Sequence, residues 1–175
     1  KGSDATEITT NISTFDVAGR QTSSKDALNN TTTYSESVAQ ASLPVKTTTF
    51  PNGSTQIETF HKDRKLLSVT GTAAHPLKFE YGVEADGQFV KEIKVAQSPP
   101  AVNSDSEWTK TFTDMVGRSF KTVAADGVAL NQSFFNNKNQ LTRQLDADNV
   151  GTLFSYNGKG ELEVAAIDIN QDGAI

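Results

Sequence analysis

Thr113-Asp114-Met115-Val116-Gly117-Arg118, Phe135-Asn136-Asn137-Lys138-Asn139-Gln140-Leu141 and Tyr156-Asn157-Gly158-Lys159-Gly160-Glu161-Leu162 are versions of one phrase within the stretch Trp108–Leu162. A β-branched or aromatic residue is followed by Asp or Asn, two variable residues, Gly or Asn, a polar residue and usually an apolar one. The aromatic is expected to end a strand with its ring in the core. Asp or Asn then folds its side chain onto the backbone two residues on and starts a turn. Gly or Asn four residues after the aromatic supplies the positive φ that reverses the chain. Leu141 and Leu162 are expected to restart a buried strand face. The phrase describes a β-hairpin, and it names no reaction.

Working outward, Phe15-Asp16-Val17-Ala18-Gly19-Arg20 is the cleanest further copy. Phe60-His61-Lys62-Asp63-Arg64-Lys65-Leu66 has Arg64 in the glycine slot, and Tyr81-Gly82-Val83-Glu84-Ala85-Asp86-Gly87 fits with a turn two residues longer. Tyr34 anchors a worn copy. The best-aligned spacings are about twenty residues, a solenoid-type period in which each unit needs its neighbours to cover its apolar face. Gly19, Gly117 and Gly160 are the expected structural-turn glycines of the phrase. Gly53 is a fourth, closing Phe50-Pro51-Asn52-Gly53 between the strands Leu43–Phe50 and Thr55–Phe60. Lys65–Gly71, Leu77–Tyr81 and Phe89–Val95 read as further strands, although Phe89, Val90, Ile93 and Ala96 also share a helical face.

With these copies in register, the chain resembles the Rhs (YD-repeat) proteins of bacteria, related to the YD shell of teneurins. Phe15–Arg20 with Lys25–Tyr34, Phe50–Gly53 and Tyr156–Leu162 carry the resemblance. It implies an all-β fold of consecutive antiparallel β-hairpin repeats in a curved, twisted sheet. It also implies a hollow shell around a C-terminal effector, often a toxin, that is absent from this chain. Arg64, Thr113 and the interruption over residues 82–112 depart from the pattern.

The chain of 175 residues is long enough for one sizeable core, and a mean hydropathy of -0.45 suits strands with one wet face. A net charge of -5 speaks against a nucleic-acid partner. The absence of cysteine excludes disulfides, zinc fingers and thiol nucleophiles. No apolar run approaches membrane-spanning length. The expected organisation is a frayed end at 1–7, repeats over 8–96, a Pro/Ser-rich loop at 97–107, and repeats of the same sheet and domain over 108–175. The chain reads as a piece of a longer extracellular or cell-surface protein, with its signal upstream.

No catalytic residue is expected. His61 occupies a turn slot and His75 precedes Pro76, with no nucleophile motif beside either. Trp108 is the candidate ligand platform, because the repeat accounts for it least. Asp168-Ile169-Asn170-Gln171-Asp172-Gly173 matches the opening of a calcium loop, with oxygens of Asp168, Asn170 and Asp172 at alternate positions and a glycine at the sixth. The motif is incomplete, so no cofactor is assigned to this chain, and calcium belongs to a longer parent. The expected role is a non-catalytic structural segment whose partners are neighbouring YD repeats. The alternative is a carbohydrate- or protein-binding β-sheet module at the cell surface.

Overall fold

The computed structural model describes residues 10–39, 42–95 and 107–174; the expected frayed end at 1–7 and residues 97–106 of the expected loop lie outside them. Among the described residues, runs rich in threonine, valine and aromatics fold into fourteen strands, hydrogen-bonded in chain order in one sheet. Neighbouring strands run antiparallel from the first to the seventh and from the eighth to the last.

The chain divides into two compact units. The first holds β1 (Asn11–Phe15), β2 (Gln21–Asp26), β3 (Thr31–Val38), β4 (Pro44–Thr49), β5 (Thr55–Phe60), β6 (Leu66–Thr70) and the first two residues of β7 (Leu77–Glu84). The second holds the rest of β7 with β8 (Gly87–Lys94), β9 (Trp108–Thr113), β10 (Ser119–Ala124), β11 (Ala129–Phe135), β12 (Leu141–Asp146), β13 (Gly151–Tyr156) and β14 (Leu162–Asp168).

The phrase builds one kind of turn. At Asp16 the backbone N–H donates to Arg20 O at 2.9 Å, and Gly19 N–H donates back to Asp16 O at 3.0 Å. The Asp16 carboxylate accepts from Ala18 N at 2.8 Å, Arg20 N at 2.9 Å and Arg20 Nε at 2.8 Å. Asp114 repeats this set with Val116 and Arg118. Asn136 accepts from Lys138 N and Gln140 N, and Asn157 from Lys159 N and Glu161 N, while their amide nitrogens donate to Gln140 Oε1 and Glu161 Oε2. Beside Phe15, Phe135 and Tyr156 the register shifts by one residue on the returning strand, a bulge that twists the hairpin. The left-handed position is filled by Gly19 (φ 77°), Gly117 (φ 85°), Gly160 (φ 87°), Asn139 (φ 69°) and Arg64 (φ 69°). Gly53 holds the same place at φ 79°, with its N–H on Phe50 O at 2.9 Å. Arg64 is the costly occupant, since a Cβ is strained there. Arg64→Gly is expected to raise stability by about 1 kcal/mol in urea denaturation. An unchanged or lowered midpoint would show that Arg64 contacts outweigh the strain.

Two expectations need correction. Tyr34 lies inside β3, opposite Thr48, and Tyr81 lies inside β7, whose turn to β8 is Ala85-Asp86. Neither is a turn anchor. The phrase aromatics are also not the core: Phe15 is 61% exposed, and Phe135 and Tyr156 are half-buried; Leu162, expected to restart a buried face, is 56% exposed at the start of β14. They end strands beside the turns, where a single sheet layer offers little cover. The buried apolar residues among those described are Val69 in the first unit and Ile93, Phe112 and Leu153 in the second.

In the second unit these residues share a face. Phe112 stands opposite Phe89 and Lys121, and Lys121 opposite Gln132; the row continues through Leu145 and Gly151 to Asp168. On that face ammonium groups lie over aromatic rings. Lys110 Nζ is 4.6 Å from the Phe89 ring centre and Lys121 Nζ is 5.6 Å from that of Phe112. Carboxylates compensate them, with Lys110–Glu84 at 2.7 Å and Lys121–Asp86 at 2.8 Å. Long basic side chains thus cover the apolar rows that a second layer would cover in a sandwich.

Candidate functional site

Trp108 opens β9 opposite Ile93, at the end of the strand that follows residues 96–106. Its ring borders a cleft of about 530 Å³ lined also by Glu92, Lys94, Glu107, Thr109 and Asp126. The ring's π system is already engaged: Lys91 Nζ lies 4.8 Å and Lys110 Nζ 5.7 Å from its centre. Lys94 pairs with Glu107 at 3.3 Å. The cleft therefore offers an indole edge, an ion pair and the carboxylates of Glu92 and Asp126. That set can accept hydrogen bonds from hydroxyl or ammonium groups. It provides no nucleophile paired with a base.

The first unit carries a second hollow, of about 710 Å³, where Arg20 meets Asp16, Tyr34, Glu36 and Lys46. Arg20 bridges Asp16 at 2.7 Å and Glu36 at 3.3 Å. Asp16 is held below the usual carboxylate range, first by the Arg20 backbone N–H and then by its guanidinium. Asp26 is lowered chiefly by the Asn30 side-chain amide. At Asp114 partial desolvation pulls upward, and the backbone N–H and guanidinium of Arg118 outweigh it. These shifts arise from turn-closing hydrogen bonds, so they mark structural carboxylates rather than acid–base catalysts.

His61 and His75 are not brought together: His61 belongs to the turn before β6 and His75 to the turn after it. Among the described residues, no group of three or more His, Cys, Asp or Glu is placed to hold a metal ion. The tail after β14 is different in kind, because its oxygens include an amide. Asp168 is only 4% exposed, its Oδ2 accepts from Gly173 N at 3.1 Å, and its Oδ1 has no hydrogen-bond partner. Asn170 Nδ2 donates to Asp172 Oδ2 at 2.8 Å, and Asp172 Oδ1 accepts from Ala174 N at 2.9 Å. The sequence pattern marked these residues but gave no sign that Asp168 is buried. The signal lies across the sheet, at Gly151, which pairs with Asp168 and leaves room for its side chain.

No family model matches the chain. No curated protein matches it either.

Proposed function

We propose that this chain is a non-catalytic wall segment of a hairpin-repeat shell of the Rhs/YD kind, at the bacterial cell surface or outside the cell. In this reading neighbouring repeats continue the ladder on either side, and the complete shell encloses an effector carried elsewhere in the parent chain. The observation that carries it is the state of the terminal strands. Among the described residues, β1 and β14 each have a hydrogen-bonded neighbour on one side only. Both expose large apolar side chains: Ile12 at 51% and Phe15 at 61% on β1, Leu162 at 56% and Ile167 at 65% on β14. A bare apolar edge is a template for another strand, and folded proteins normally cover or charge it. Turns repeated without a catalytic constellation among the described residues fit a scaffold.

The isolated chain is expected to self-associate through these edges in sedimentation velocity. Ile12→Lys with Ile167→Lys is expected to return it to monomer without loss of strand signal in circular dichroism. A wild-type chain that stays monomeric at high concentration would overturn the reading of the edges as joints.

A second reading has the Trp108 cleft in its favour, since its carboxylates and indole edge suit a hydroxyl-rich or cationic ligand. A glycan array with Trp108→Ala as control separates the two. Trp108-dependent binding would make the sheet a recognition module.

A further inference from the structure

Asp168 is the charged residue that the fold buries among those described. It closes β14 opposite Gly151, where a Cβ would lie 3.2 Å from Asp168 Cβ and 3.6 Å from Leu145 Cδ2. The carboxylate therefore occupies a slot that any larger residue at 151 would fill. Oδ2 is satisfied by Gly173 N–H, while Oδ1 is buried and accepts nothing. An ionised oxygen without a donor is among the least tolerated groups in a protein interior, and it calls for a counter-charge.

No side chain nearby in sequence supplies one. Residues 160–175 contain neither Lys nor Arg, and the turn before Gly151 adds Asp146 and Asp148. Arg143, on the same face, is turned to the Phe134 ring, 5.7 Å from its centre. Meanwhile the Asp168–Gly173 bond draws the tail back over the carboxylate. Positive φ at Gln171 (58°) and Gly173 (74°) bends it, and Asn170 and Asp172 meet at 2.8 Å. Three oxygen-bearing side chains thus stand at alternate positions of a bent tail, and the first of them carries the unsatisfied oxygen.

We propose that Asp168, Asn170 and Asp172 bind a calcium ion. The ion neutralises the buried carboxylate, and rotation of the Asn170 amide turns its oxygen toward the centre in place of the nitrogen now on Asp172. Calcium accepts irregular shells of carboxylate, amide, backbone and water oxygens, whereas magnesium demands a near-octahedral one. With two carboxylates and an amide from the loop, and water completing the shell, the affinity belongs to the weak range, about 0.1–1 mM.

The test is thermal denaturation and titration calorimetry of the full chain, with CaCl2 set against NaCl of equal ionic strength and against MgCl2. Wild type is expected to gain melting temperature with calcium at about 5 mM, several times the dissociation constant of a weak site. Asp168→Asn keeps the shape and removes the charge. It should weaken calcium binding at least about tenfold and, without calcium, melt no lower than wild type. Asp172→Asn, at an exposed position, should weaken binding while leaving the calcium-free melting temperature in place. No calcium-dependent shift in wild type overturns the site, as does a shift that both variants retain. An equal response to magnesium overturns the assignment to calcium.

Discussion

Phe112→Ala is expected to destabilise the second unit by about 3–5 kcal/mol, a large part of the roughly 5–15 kcal/mol that holds an ordinary domain together. Phe112 is 3% exposed, with the rings of Phe89 and Phe120 at 6.0 and 6.4 Å. The ammonium groups of Lys110 and Lys121 stand 5.8 and 5.6 Å from its centre. Removing the ring opens a cavity, separates the two flanking aromatics, and takes from Lys121 the ring it covers, while Lys110 keeps Phe89 at 4.6 Å. Phe135→Ala is the internal comparison. That ring is half-buried beside a turn and lies under the Arg118 guanidinium at 4.0 Å, so its loss is expected to cost about 1 kcal/mol. Urea denaturation of both variants decides the ranking. If Phe135→Ala costs as much as Phe112→Ala, stability lies in the turns and not in the row of the sheet that holds Phe112.

That contrast shows how far the sequence could be read. The turns were legible because their chemistry is local. Asp16, Asp114, Asn136 and Asn157 each bind the N–H groups two and four residues ahead, and such an interaction leaves its mark within six residues. The turn at Asp146 does the same work, with Asn149 at φ 60°, but it follows Leu145. Without an aromatic before it, this turn lacks the mark of the phrase. The core was less legible because burial in one layer depends on which strands lie beside a residue. Ile93 is 1% exposed through its place opposite Trp108, a partner separated from it by residues 94–107 of the sequence. The same pairing settles Phe89–Val95. A helix satisfied the local pattern, yet the ladder from Gln88–Thr113 to Ile93–Trp108 makes it a strand. At the tail, the alternating oxygens were visible in sequence, whereas the Gly151 slot that buries Asp168 was not.

Gly71→Ala is expected to cost on the order of 3 kcal/mol in the first unit, although the change adds one methyl group. Gly71 follows β6 at φ 114°, a region that side chains rarely adopt. A Cβ there would fall inside van der Waals contact of the Thr55 carbonyl oxygen, with the Gln56 Cα at 3.2 Å, so backbone and not a flexible side chain stands in its way. The close approach is fixed from both sides. Ala73 N donates to Thr55 O at 2.8 Å, and Thr55 N donates to Thr72 Oγ1 at 2.9 Å. A methyl group must push the turn off the start of β5 and break both bonds, or force Gly71 out of its conformation and shift Leu77 against Val69. Gly19→Ala provides the control, because its φ of 77° is also left-handed but open space surrounds it. It should cost only the conformational part, about 1 kcal/mol. Equal losses at the two positions in thermal denaturation would mean that left-handed strain accounts for everything and that the contact with Thr55 contributes nothing.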